Sequence, residues 1–319
     1  MITQQRIAIL WAYFLIYVVW GSTYYFIGVA LREIPTFLLG ALRFSIAGLL
    51  LLGICAWRGE KIFQATLIRR SALSGIVLLF VDMAVIMLAQ RYVSSSLVAI
   101  VAASTAIWIM TLDVPMWKKN FRNLSTLIGV ILGFIGVGML YLEQLSWDNT
   151  PSQHHEYGIL ILIAGCISWA LGTLYTKYRS SDAEPINAFA GAAWQMIFAS
   201  LLFWLCAFVT GDFKQFDRTA IHSGSWFALV YLILFGSILA YSAYVWLLKV
   251  RPATEVATHA YVNPIVAVLI GVYAGGEQVS ALQLIGLGLI IVSVILVEWR
   301  TRHSLPHRKH DTALPRDAE

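Results

Sequence analysis

Charge is what this chain has least of. Only 12% of its 319 residues are Asp, Glu, Lys or Arg, against 59% hydrophobic. A water-soluble domain carries about a quarter charged residues, so an ordinary hydrated surface is excluded. Cysteine is scarce as well. Cys55, Cys166 and Cys206 each sit in an apolar run, with no CxxC or Cys/His spacing between them. A disulfide framework and a zinc ribbon are thereby excluded, and the three read as buried thiols. No GxxxxGK[ST] loop occurs, which removes the P-loop ATPases. Segments of about ten residues with alternating polarity, which a membrane β-barrel requires, are missing too.

Long apolar runs take their place. A helix needs about 20 apolar residues to cross roughly 30 Å of hydrocarbon. Ten such runs lie at 7–29, 36–57, 71–90, 96–113, 124–142, 158–177, 187–209, 226–248, 253–274 and 281–299. Within a bilayer the backbone must satisfy its own polar groups, so the runs predict helices. The expectation is an all-α membrane protein with ten transmembrane helices. The first run is too long for a signal peptide and is read as a retained span.

Orientation follows from Lys and Arg in the connections. On one side lie Arg6, Arg58, Lys61, Arg69, Arg70, Lys118, Lys119, Arg122, Lys177, Arg179, Lys249, Arg251 and the basic tail. The other side holds only Arg32, Arg91, Lys214 and Arg218. Both termini are therefore expected in the cytoplasm, with the chain multi-pass in the cell inner membrane. Residues 300–319 read as a disordered basic cytoplasmic tail.

A weak internal repeat runs through the chain. Residues 93–108 (VSSSLVAIVAASTAIW) align with 251–266 (RPATEVATHAYVNPIV), and Trp20 in the first helix matches Trp169 in the sixth. Five helices per repeat is an odd number, so the second copy must enter from the opposite face. The reading is two inverted five-helix repeats, 1–145 and 156–299. Such architectures place a transport site near mid-membrane between the halves.

The residues at this point carry a family resemblance. Val19-Trp20-Gly21-Ser22-Thr23, Ile34 to Phe44 (IPTFLLGALRF), Ile167-Ser168-Trp169-Ala170, Tyr231 to Tyr241 (YLILFGSILAY), His259 to Val268 (HAYVNPIVAV) and Gly276-Glu277 span nearly the whole chain. Together they resemble the EamA branch of the drug/metabolite transporter superfamily, nearest to the YedA-like and pigment-exporter-like bacterial permeases. The resemblance implies ten helices and secondary transport, most often efflux of amino acids or related metabolites. The chain departs from the family pattern at Asp82, where Asn is usual, at Ala106, where Pro is usual, and at His259, where Tyr is usual.

Ionisable residues inside the runs are few, and each costs about 2.5–3.5 kcal/mol at a helix centre. Asp82, near the middle of the third run, reads as a cavity carboxylate for a proton or a cationic substrate group, ahead of a structural acid. Arg43 stands seven residues into the second run, roughly 10 Å deep. It reads as a structural anchor ahead of a carboxylate-binding or gating charge. His259 is a coupling candidate beside Asp82, weighed equally against an imidazole hydrogen-bonded within the bundle. It shares a helix face with Glu255 and Arg251, which are expected to pair with each other.

Asn263-Pro264 predicts a kink in the ninth helix, with a hinge as the bolder reading. Trp20, Tyr24, Trp108, Trp169, Tyr241, Tyr244 and Tyr261 are aromatic and mostly near mid-depth. Each alone reads as packing; as a set, with Thr105 and Asn263, they outline a substrate cavity among helices 1, 3, 4, 6, 8 and 9. Gln195 reads as hydrogen-bonding glue. The expected partners are a small-molecule substrate, the lipid bilayer and protons. No nucleic acid, cofactor or metal is expected, and a monomer suffices. The rival readings are a membrane-embedded lipid-modifying enzyme and a receptor or scaffold. The first needs a metal-binding carboxylate cluster or a nucleophile with its base, and the sequence shows neither.

Overall fold

The computed structural model describes residues 2–122, 124–146, 155–179, 187–251, 256 and 258–303, and within them every regular element is helical. Helix occupies all ten apolar runs. They are α1 (Gln4–Leu31), α2 (Thr36–Trp57), α3 (Ala65–Ala89), α4 (Ser95–Leu112), α5 (Leu124–Ser146), α6 (His155–Arg179), α7 (Ala188–Thr210), α8 (Ser223–Val250), α9 (His259–Gly275) and α10 (Ala281–His303). Seven of them, α1–α4 and α6–α8, are long and apolar enough to cross a membrane, whereas α5, α9 and α10 contribute shorter apolar stretches. Helix α10 runs on to His303, so the basic segment after residue 299 begins as helix. The rest of the expected disordered tail, 304–319, lies outside the described residues, as does Glu255.

Polar residues at the run boundaries set where helices begin and end. Asn187 accepts from the backbone N–H groups of Phe189 (2.8 Å) and Ala190 (3.2 Å), capping α7. Ser94 does the same for α4 through Leu97 N–H. At the end of α9, Gly276 adopts φ 65°. That left-handed turn, which favours glycine, lets Glu277 N–H return to the carbonyl of Gly271 at 2.9 Å.

Counterpart helices of the two halves pack on each other, α2 on α7, α5 on α10 and α4 on α9. Two of these pairs run antiparallel. Gly40 and Phe44 meet Phe203 while Gly48 meets Ile197. Likewise Gly133 meets Ser293 while Gly136 meets Gly286 and Ile290. Gly75 of α3 lies so close to α7 that a methyl group there would fall 2.5 Å from the carbonyl oxygen of Gln195. Gln195 itself donates to Ser74 (2.9 Å) and accepts from the Tyr241 hydroxyl (2.5 Å), joining α3, α7 and α8.

Helical regularity breaks where the cavity lies. Three stretches are π-helical, Leu15–Val19 in α1, Gly75–Val81 in α3 and Leu232–Tyr241 in α8, and α4 is interrupted at Ala103–Ser104. In each π stretch a side chain from another helix binds a backbone carbonyl. Ser168 reaches Val77 O at 2.9 Å and Trp20 Nε1 reaches Gly236 O at 3.1 Å. The Asn263 amide, turned so that its nitrogen faces α1, donates to Ile16 O and Tyr17 O at 2.8 Å each. Non-helical backbone at membrane depth is tolerated where protein supplies such partners or a cavity adjoins.

Candidate functional site

These irregular stretches surround a cavity of about 80 Å³. Its wall takes residues from α1, α2, α3, α4, α6, α8 and α9. Helix α2 adds Arg43 and Phe44 to the six helices expected from sequence. Trp20, Tyr24, Asp82, Thr105, Trp169, Tyr241, His259, Asn263, Arg43 and Pro264 all line the cavity. Trp108 does not. It packs edge-on against Phe134 of α5 at 5.1 Å between ring centres, and its indole N–H has no partner.

One wall is aromatic. Trp20 sits at its centre, with ring centres 5.0 Å from Tyr244, 5.4 Å from His259, 5.7 Å from Trp169 and 6.3 Å from Tyr241. Because its N–H is fixed on Gly236 O, the indole presents its faces rather than its polar edge to this group. Such tilted and edge-on pairs are the favoured aromatic geometries. Tyr244, one turn from Tyr241 in α8, was among the aromatics expected to outline the cavity; it is fully buried and packs on Trp20 and Trp169 without lining the cavity. His259 has its Nδ1 2.8 Å from Val256 O, which assigns that nitrogen the proton and leaves Nε2 as an acceptor.

The cavity also carries charge. Arg43 is 3% exposed and Asp82 7%. Arg43 Nε donates to Ser237 Oγ at 2.8 Å, its Cζ lies 4.9 Å over the Phe44 ring, and its Nη1 has no partner. Asp82 receives no hydrogen bond among the described residues, and the two form no ion pair with each other. Asp82 Oδ1 faces α6, where a methyl on Gly165 would come within 3.6 Å. The sequence favoured an anchoring role for Arg43. Arg43 lines the cavity and is held to α8 by the Ser237 bond, while its Nη1 is enclosed by protein.

Asn263 lines the cavity as expected of its position, and one part of its side chain is also tied to a neighbouring helix. Its amide nitrogen is occupied by α1 carbonyls, so this part of the side chain fastens α9 to α1.

Beyond the cavity, the end of the bundle holding the α1–α2, α3–α4, α7–α8 and α9–α10 connections is tied by carboxylates. Glu277 accepts from the N–H and hydroxyl of Ser95 (3.1 and 2.5 Å) and of Ser96 (3.0 and 2.5 Å). Asp212 accepts from Phe37 N–H (2.9 Å) and Leu38 N–H (3.1 Å) at the start of α2. Glu33 accepts from His222 N–H at 2.9 Å and contacts the His222 ring. Hydrogen bonds from Ser225 and His222 hold the Glu33 carboxyl below its ordinary range. Helix N-termini carry partial positive charge, which suits these acidic caps.

The EamA-like transporter family model matches residues 6–142 and again 156–299. The chain is 33% identical over 297 residues to a protein of Escherichia coli K12 described as an uncharacterized inner membrane transporter, YedA, covering 92% of each. It is 24% identical over 290 residues to a probable amino-acid metabolite efflux pump of Salmonella typhimurium, covering 88% of this chain and 92% of that one. A crystal structure of a protein 19% identical in sequence shares the fold at a TM-score of 0.66, covering 93% of this chain and 98% of the other. Two matches to one repeat model, arranged end to end over nearly the whole length, show that this chain belongs to the EamA-like transporter family.

Proposed function

We propose that the protein exports amino acids or related small metabolites across the inner membrane by alternating access, with protons as the coupling ion. The observation that carries this reading is the cavity itself. It is walled by helices of both repeats and lined by Arg43 and by an acid, Asp82, that has no partner among the described residues. Unpaired charge in an apolar bundle is costly and marks substrate or ion pathways. Antiparallel packing of counterpart helices supports the division into inverted halves at 1–145 and 156–299, with ten helices crossing. The Lys/Arg bias supports cytoplasmic termini. The efflux name of the Salmonella relative supports the substrate class.

In this reading Asp82 and His259 are the coupling candidates, and Trp20, Tyr24, Thr105, Trp169 and Tyr241 contact substrate. Proteoliposomes assayed with a labelled amino-acid and metabolite panel, with and without an imposed pH gradient, test it. Accumulation against a gradient, driven only by opposite proton flow, is expected. Asp82→Asn combined with His259→Ala is expected to abolish the pH dependence. Full transport with unaltered pH dependence in that double variant refutes the coupling. Flux of none of the panel, beside a working control transporter, refutes the substrate class.

A further inference from the structure

We propose that the cavity recognises the zwitterionic head shared by α-amino acids, with Arg43 taking the carboxylate and Asp82 the ammonium group. The inference rests on the reading above that amino acids are the substrates, and adds the head-group chemistry and the residues that hold it.

The argument starts from two opposite charges in one enclosed space that do not neutralise each other. Arg43 and Asp82 both line the cavity and both are more than nine-tenths buried. Two isolated buried charges of opposite sign would gain by pairing, yet they form no ion pair. Each is directed towards a different helix of the second repeat. Arg43 is fastened to α8 through Ser237, which fixes the guanidinium plane at the cavity wall. Asp82 Oδ1 faces α6 at Gly165. A ligand that satisfies both must itself carry an anion and a cation at fixed separation. A guanidinium fits a carboxylate, and an unbonded carboxylate fits an ammonium group.

The aromatic wall completes the site. Trp20, Trp169, Tyr241 and His259 line the cavity as a ring cluster centred on Trp20. It offers ring faces to a substrate side chain. Discrimination among amino acids therefore falls to this cluster, and the requirement for both head-group charges falls to Arg43 and Asp82. A monoanion would leave Asp82 uncompensated, and a simple amine would leave Arg43 so. A site that hydrogen-bonds a group rejects analogues lacking it strongly, because its own polar atoms are then left unpaired.

Binding to the full-length protein in nanodiscs tests the assignment. The probes are three sets sharing a side chain, namely alanine, leucine and phenylalanine, each with its decarboxylated amine and its deaminated acid. At least one amino acid is expected to bind about 100-fold more tightly than both of its truncated partners, a conservative figure for lost charged hydrogen bonds. Arg43→Gln is expected to bring the amino acid down to the affinity of its amine, and Asp82→Asn to that of its acid. Where Arg43→Gln fails to fold for want of the Ser237 bond, Asp82→Asn remains decisive, since Asp82 holds no described side chain in place.

Equal binding of an amino acid and either truncated form in the unmodified protein overturns the proposal while leaving a transporter. So does Asp82→Asn with its preference for amino acid over acid undiminished, which would confine Asp82 to proton coupling. Absence of binding by every compound in the three sets overturns the zwitterion site and the amino-acid reading together. Panel transport of metabolites bearing a single charge, without binding of the amino acids, overturns the zwitterion site alone.

Discussion

Glu277→Gln tests whether the carboxylate ties at one end of the bundle hold it closed. Glu277 accepts four hydrogen bonds, two from backbone N–H groups and two from hydroxyls at the first residues of α4. A hydrogen bond to a charged group contributes about 1.5–3 kcal/mol and a neutral one about 0.5–1.5. Glutamine keeps one acceptor oxygen and turns an NH₂ towards the other serine, so two bonds are lost and two weakened. Glu277 is only half-buried, and water screens and replaces part of the interaction. A net loss of about 1–3 kcal/mol follows, equivalent to a ~5- to 150-fold shift towards the open arrangement.

The reporter is a cysteine at Ala99, which lines the cavity one turn below Ser95 and is 1% exposed. In a background without Cys55, Cys166 and Cys206, labelling by an impermeant maleimide added on the Glu277 side should accelerate by that factor. Glu277→Ala should accelerate it further. Labelling at the unmodified rate in both variants refutes the view that this cap governs access to the cavity.

Gly75→Ala should destabilise the fold by about 1–3 kcal/mol, because the added methyl meets the backbone of Gln195, which cannot rotate away. Gly53→Ala, with nothing within 4 Å, is the control and should be neutral or stabilising; thermal unfolding in detergent reads both. Trp20→Phe removes the indole N–H that donates to Gly236 O, a hydrogen bond that contributes about 0.5–1.5 kcal/mol. Transport should fall with it, whereas Trp108→Phe, outside the cavity, should transport normally. The Glu33 carboxyl is held below its ordinary range, so its tie to His222 is complete above the unfolded value of about 4.3 and is lost as pH falls through the lower folded value. Protection of the His222 amide in hydrogen exchange should be constant from about pH 8 to 5 and fall only below that range.

The helices were legible because the bilayer writes them into the sequence. Runs of about 20 apolar residues have few alternative folds, and helix occupies all ten. The site was legible through cost, since an Asp at residue 82, an Arg at 43 and a His at 259 demand an explanation where Leu would serve. Trp108 shows the limit of that logic. An aromatic at mid-depth costs nothing, so depth alone cannot say which face it presents, and this one turns to α5. Asn263 shows another limit. Its polarity marks it, but only the α1 π stretch determines that its amide is used on Ile16 and Tyr17. Those π stretches leave no pattern in composition, because the residue that breaks the hydrogen-bond register is as apolar as its neighbours. Glu277 was quoted for family likeness alone. Its grip on Ser95 and Ser96 joins residues 181 and 182 positions away, which no local pattern encodes.

The three carboxylate caps at that end also differ in a way that separates frame from moving parts. Asp212, which caps α2, is 5% exposed and is braced by Thr210 at 2.7 Å. Breaking it would strand the N–H groups of Phe37 and Leu38 in a buried setting. Helix α2 is further locked to α7 by the stacked Phe44 and Phe203 rings. Glu277 and Glu33 stand nearer solvent, where water can take over their partners at little cost. Under the proposed alternating access, α2 and α7 are expected to stay paired while α4 parts from α9 and α8 parts from the α1–α2 turn. Native-state hydrogen exchange checks the order directly, because local opening spans from near zero to the global free energy. The amides of Phe37 and Leu38 should exchange only with global unfolding, while those of Ser95, Ser96 and His222 exchange through smaller openings. If Phe37 and Leu38 exchanged as readily as Ser95 and Ser96, the α2–α7 pair would be a moving part, and the division of the bundle would have to be redrawn around some other fixed element.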